Sequence, residues 1–194
     1  MALRPARALA AAALAGAGGA LLAASGALGA AGTGAAAGKL YPGGAQALAP
    51  TPSEVGFAKL VGFERAKEPV AILRRGYRSG VVAWYQKGSA KVLTQAVATI
   101  YVYTTTATAT RAWSRACSTC TREPAPGGLH AKAEAGTTGG VTTLHLVAAC
   151  GNVYLDVVEL DPPSPAAADT DVARITNAVY ARATHFGLSS CAAK

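Results

Sequence analysis

From Met1 to Pro50 the chain is mostly Ala and Gly, with Leu its main bulky apolar residue. Such small side chains bury too little apolar surface to offset the conformational entropy lost on ordering them. The core is therefore expected from the rest of the chain, roughly 140 residues, the usual size of a single domain. That length buries about two-thirds of its unfolded surface, enough for a self-sufficient core.

The same segment has the layout of an export signal. Arg4 and Arg7 give a positive start, Ala8 to Ala24 carries no charge, and small residues continue through Ala31. Residues 1–38 are read as a signal peptide. A retained membrane anchor is the alternative, because the uncharged run continues to Gly38 and is long enough to span. No Cys follows the run, which argues against a lipoprotein, and Arg4 and Arg7 are not adjacent, which argues against a twin-arginine route. Residues 39–52, with Pro42, Gly43, Gly44, Pro50 and Pro52, read as a flexible linker. Residues 53–194 are then the one exported domain.

Cys117, Cys120, Cys150 and Cys191 make an even set, which in an exported chain implies two disulfides. Cys117 and Cys120 are expected to pair outward with Cys150 and Cys191, because a long loop constrains the unfolded chain more than a three-residue one. Zinc would want a second Cys-x-x-Cys, which is absent. A thioredoxin-like site would want its first Cys at a helix N-terminus, whereas this pair comes after a predicted helix. No metal or other cofactor is expected.

Strand signals begin at Arg78, with Val81 to Tyr85 and then Lys91 to Tyr103, joined by Lys87–Ala90. The second strand alternates, with Ala96, Ala98, Ile100 and Val102 on one face and a mixed set including Tyr101 and Tyr103 on the other. Thr104 to Thr106 offer caps for a helix to Cys117, whose apolar stripe is Ala109, Ala112, Trp113 and Ala116. Thr121 to Gly128 reads as a loop and Leu129 to Ala135 as a weak strand. Val141–Cys150 and Val153–Leu160 form a hairpin about Gly151-Asn152. Asp161-Pro162-Pro163-Ser164-Pro165 ends the sheet, and Asp169, Thr170 and Asp171 cap a last helix that stops at Gly187. The expected fold is α+β, β-β-α-β-β-β-α: an antiparallel sheet of about five strands with two main helices on one face.

Catalytic patterns are missing. There is no Gly-x-Ser-x-Gly elbow and no P-loop, and His130, His145 and His185 show no ligand spacing. His145, between Leu144 and Leu146, is expected to face away from the core. Asp156 and Glu159 should point to opposite faces of their strand, so they do not form a paired-carboxylate site.

Charge is uneven. Glu64 through Lys132 holds eleven Lys and Arg against three Glu, a net +8; Ala133 through Lys194 holds three against six, a net −3. Arg74, Arg75, Arg78, Lys87 and Lys91 surround the first hairpin, and Arg111 and Arg115 share the solvent side of the first long helix. If these elements stay adjacent, their cations form an anion-binding surface. No aromatic–basic interleaving points to base stacking, so sequence-specific nucleic-acid recognition is not expected.

The succession TQAVATIYVYTTTATATRAWSRAC, LVAACGNVYLDVVEL and DVARITNAVYARA, within Arg78 to Ala183, resembles the extracellular sensor domains of PknH-type bacterial Ser/Thr kinases and related secreted actinobacterial proteins. The resemblance implies a disulfide-bonded α/β fold with a cleft for a ligand. The chain departs from it in having no kinase domain, no Cys in the first half of the domain, and its fourth Cys after the last helix. The expected function is a non-enzymatic extracytoplasmic binding or sensing module for an anionic envelope component or small ligand. A secreted hydrolase of envelope polymers is the alternative.

Overall fold

Seven antiparallel strands are laid out as two meanders that meet in the middle of one sheet. The computed structural model describes residues 39–67, 74–89, 93–123, 130–138 and 141–188, all within one compact unit. The first meander is β1 (Lys59–Arg65), β2 (Tyr77–Gly88) and β3 (Leu93–Tyr103). The second is β4 (Thr121–Glu123), β5 (His130–Thr138), β6 (Val141–Cys150) and β7 (Val153–Leu160). β3 pairs with β7, giving the order β1-β2-β3-β7-β6-β5-β4. The sheet thus has two strands more than expected. The first, β1, is an edge strand exposed along nearly its whole length, so it leaves no alternating pattern to read. The second, β4, falls in the stretch read as a loop.

Three α-helices accompany the sheet among the described residues: α1 (Pro52–Val55), α2 (Thr106–Ala116) and α3 (Pro165–His185). α2 starts where its Thr run predicts, with the Thr105 hydroxyl accepting from the Thr108 N–H. α3 begins four residues before the predicted caps. Ser164 is the N-cap, its Oγ accepting from the Ala167 N–H, and Pro165 sits in the first turn, where a missing N–H costs nothing. The prolines read as a terminator are also a helix start.

The two long helices do not share a face, contrary to expectation. α3 lays Val172, Ile175, Val179 and Ala183 on Ala96, Ala98, Ile100, Leu155 and Val157 of the central strands. Each buried Val, Ile or Leu among them contributes roughly 1.5–3 kcal/mol relative to solvent, and each Ala correspondingly less. Phe186, just after α3, is exposed. α2 packs on the reverse face, with Ala109, Ala112 and Trp113 against Tyr103, Val147, Ala149 and Tyr154. Topology gives the reason. After β3, at the sheet centre, the chain must reach the far edge at β4, and α2 makes that crossing on the side opposite α3.

The segment 39–52, read as a flexible linker, contributes to the core. Tyr41, Ala45 and Leu48 are buried in the α3-side cluster. The Tyr85 hydroxyl donates to the Pro50 carbonyl at 2.8 Å, and the Ala45 N–H donates to Ser79 Oγ at 3.0 Å. No described helix is long and apolar enough to cross a membrane. Residues 1–38, which carry the export-signal pattern, lie outside the described residues, as does Cys191.

Candidate functional site

The side chains of β2, β3, β7 and β6 that point away from α3 form cross-strand rows on the reverse face. One row runs Trp84, Val97, Val158, His145, and continues to Glu134 on β5. The next runs Val82, Thr99, Asp156, Val147. α2 and Trp113 seal the far end, where Val147, Tyr103 and Tyr154 are fully buried. Trp84, Val97, Val158, Val82, Thr99, His145 and Asp156 are only half-buried. The result is an apolar platform walled on one side by a helix. Gly62 of β1 belongs to it: a Cβ there would come within 2.6 Å of the Trp84 ring, so the glycine lets the indole lie flat against the edge strand.

The platform ends in a polar cluster. His145 Nε2 lies 3.0 Å from Asp156 Oδ1, and Tyr154 donates to Asp156 Oδ2 at 3.2 Å. The Asp156 carboxylate raises His145 above the ordinary imidazole value, partly opposed by burial, with Glu134 adding to the rise. Burial, then the same carboxylate, pushes the Tyr101 hydroxyl up to about 12. His145 faces away from the α3-side core, as its alternation with Leu144 and Leu146 predicts. The sequence does not reveal its partner Asp156, because their proximity depends on β6–β7 register rather than on spacing within either strand.

Cys117 and Cys120 are bonded to each other, so the expected outward pairing is wrong. Cys150 is also in a disulfide. The Cys117–Cys120 ring encloses only two residues, so its loop-entropy contribution is small, roughly 2 kcal/mol. The pair comes just after α2 and faces His145: one ring nitrogen and the two sulfurs lie within 4.8 Å of one another. The Cys120 N–H donates to Cys117 Sγ at 3.1 Å. Glu134 Oε2 lies 3.7 Å from the same sulfur and accepts from Thr119 Oγ1 at 2.6 Å. Lys132 Nζ donates to the Ser114 and Cys117 carbonyls, capping the C-terminal end of α2, and stands 4.8 Å over the Trp113 ring.

The proposed cations are not brought to one surface. Lys87 points to the α3 side, where its ammonium pairs with the buried Asp171 carboxylate and lies 4.9 Å over the Phe57 ring. Arg78 donates to the Pro42 carbonyl at 3.1 Å. Arg111 and Arg115 are exposed on α2. Arg74 and Arg75 are exposed just before Gly76, whose carbonyl accepts from Thr104 N–H beside the start of α2. Lys91 lies outside the described residues. Four of the seven cations thus belong to α2 or to the turn beside it, and Lys87 does not.

Two further features lie on the α3 side. A groove of about 870 Å³ follows the outer flank of α3 past Arg174, Asn177 and His185. Its Arg182 is committed to Glu54, at 2.6 Å, and to the Ala47 carbonyl, and that guanidinium with the Thr51 hydroxyl holds Glu54 down to about 2. Beneath the first half of α3, Glu159 is completely buried, and neither carboxylate oxygen has a hydrogen-bond partner. Burial pushes it up to about 7 against the pull of Lys87. As expected, Glu159 and Asp156 face opposite ways. No family model matches the chain, and comparison with curated proteins and with solved structures returns no match.

Proposed function

We propose that the chain is a non-enzymatic extracytoplasmic binding or sensing module that holds its ligand on the platform between Trp84 and α2. The observation that supports this reading is the half-open row Trp84, Val97, Val158 on a sheet whose opposite face is closed by α3. An apolar floor with few polar groups at its margin suits capture of a ligand, and an indole offers a large, rigid contact area. The ligand is an anionic amphiphile of the cell envelope: its apolar part lies on the platform, and its charge meets Arg75, Arg111 and Arg115 on the α2 side. The resemblance to secreted sensor domains agrees with this role.

Binding to phosphatidylglycerol vesicles and to polyphosphate, at low and at physiological salt, tests the proposal. Trp84→Ala should weaken vesicle binding without changing the circular dichroism spectrum. Arg75→Glu with Arg111→Glu and Arg115→Glu should remove the salt-sensitive part. Vesicle binding equal in all three proteins, or absent at low salt, overturns it.

A secreted hydrolase is the second reading, favoured by the His145–Asp156 pair, which has the base–orienter geometry of acyl-transfer sites. It requires turnover of ester or wall-polymer substrates that disappears in His145→Ala.

A further inference from the structure

The Cys-x-x-Cys pair lacks a second pair in the sequence, but the fold supplies other donors. Cys117 and Cys120 come from the turn after α2, Glu134 from β5 and His145 from β6, with Glu134 and His145 directly opposite each other in the β5–β6 register. The imidazole nitrogen and both sulfurs lie within 4.8 Å of one another, and the Glu134 carboxylate is 3.7 Å from Cys117 Sγ. We propose that these four side chains form a site for a divalent metal of the zinc class, closed while Cys117 and Cys120 are bonded and opened when that disulfide is reduced.

The chemistry of the donors selects the metal. Two thiolates and an imidazole are soft to borderline ligands that favour zinc or cobalt over magnesium or calcium, in a tetrahedral arrangement completed by a carboxylate. The surroundings match what a metal-bound histidine needs. With the metal on Nδ1, Asp156 holds the other ring nitrogen, Nε2, at 3.0 Å and is itself held by the Tyr154 hydroxyl, a carboxylate behind an imidazole that fixes ring orientation. Thr119 fixes the Glu134 carboxylate in the same way. A purely structural staple needs none of these groups, and one enclosing two residues constrains the unfolded chain weakly.

The opening step balances as a thiol–disulfide exchange with an external dithiol. The disulfide takes up two electrons and two protons, giving two thiols, and the dithiol leaves as its own disulfide. An incoming divalent ion then displaces the two thiol protons to solvent as both sulfurs bind as thiolates. In the oxidised state the sulfurs are shared in a covalent bond and are poor ligands, so one pair of residues alternates between a staple and a metal site.

The test uses the full chain, treated anaerobically with a dithiol, freed of reductant and titrated with cobalt(II) alone. Reduced wild type should bind one equivalent, with thiolate-to-cobalt charge-transfer absorption and intense tetrahedral d–d bands that zinc displaces. The oxidised protein should show neither. Cys117→Ser and His145→Ala should lose the tetrahedral spectrum, Asp156→Asn should weaken binding about 10–100-fold, and Cys150→Ser should retain it, separating this pair from the second disulfide. If reduction loosens the fold, alkylation by mass spectrometry gives a second readout: zinc should slow labelling of Cys117 and Cys120 in wild type but not in His145→Ala. No cobalt spectrum and no zinc protection in the reduced protein, or both unchanged by His145→Ala, would overturn the proposal.

Discussion

The side-chain amide of Asn152 pairs with both backbone groups of Tyr41, accepting from its N–H at 2.8 Å and donating to its carbonyl at 3.0 Å. Its second amide hydrogen goes to the Tyr103 carbonyl at 2.9 Å. Asn152 is fully buried, so it acts as an internal bridge between the N-terminal segment and the end of β3. The turn it belongs to takes its positive φ at Gly151 instead.

Asn152→Asp should therefore be severe despite its small change in shape. The amide donates to two carbonyls and a carboxylate can donate to neither, leaving buried acceptors facing a buried charge. A loss of about 3 kcal/mol or more in urea unfolding is expected. Asn152→Ala should cost somewhat less. Deleting residues through Pro50 should destabilise by the same logic, since it uncovers the site of Tyr41 and Leu48. Near-native stability for these variants would mean that the segment is not docked in solution.

The two tryptophans should separate stability from binding. Trp113 is nearly buried beneath α2, so Trp113→Ala should lose about 3–5 kcal/mol. Trp84 already meets solvent along one side, and Trp84→Ala should cost only about 1–2 kcal/mol. Thermal unfolding of the two variants checks the ranking; equal losses would mean that Trp84 is closed over and that the platform is core.

Which parts of this fold are legible in the sequence depends on what each signal measures. α2 can be read from Thr105, Ala109, Ala112 and Trp113 because cap and stripe lie within one helix. The alternation of β3 gives the α3-side core, Ala96 through Val102, for the same reason. Where local signals end, reading fails. The two long helices look alike in sequence whether they share a face or take opposite ones, and only the chain path from β3 to β4 decides. Asp171 looks like a helix cap, yet it lies nearly two turns inside α3 and meets Lys87 of β2. His145 looks isolated because Cys117, Glu134 and Asp156 come from three other elements, and strand register brings them together. The Ala- and Gly-rich start conceals Tyr41 and Leu48, two bulky residues in a low-information stretch that turn out to be core.

The disulfide state is directly measurable. Alkylation without reduction should add no label, because no described cysteine is free. Proteolysis under the same conditions should give a peptide in which Cys117 and Cys120 are joined, and a separate cross-linked product containing Cys150. Replacing both Cys117 and Cys120 by Ser should lower stability by no more than about 2 kcal/mol, the loop-entropy value for so short a ring. Recovery of Cys117 or Cys120 joined to Cys150 would restore the long-loop pairing that the sequence favoured.

Glu159 gives the clearest pH dependence. In the folded chain its proton is held to about 7, whereas an unfolded glutamate releases it near 4.5. Between these values the native state binds more protons than the unfolded state, so this group makes stability fall as pH rises. Its cost is absent below the unfolded value and complete above the folded one, roughly 3 kcal/mol in all. Lys87 moderates the cost but cannot cancel it, since its ammonium is already paired with Asp171. Glu159→Gln keeps the volume and removes the ionisation. Relative to wild type, the variant should gain stability from about pH 4 to about pH 8 by up to the same roughly 3 kcal/mol, on top of a pH-independent loss from the buried amide's lack of partners. Urea unfolding of both proteins across that range is the measurement. Parallel curves would show that Glu159 is ionised and solvated throughout, and that α3 does not seal it from water.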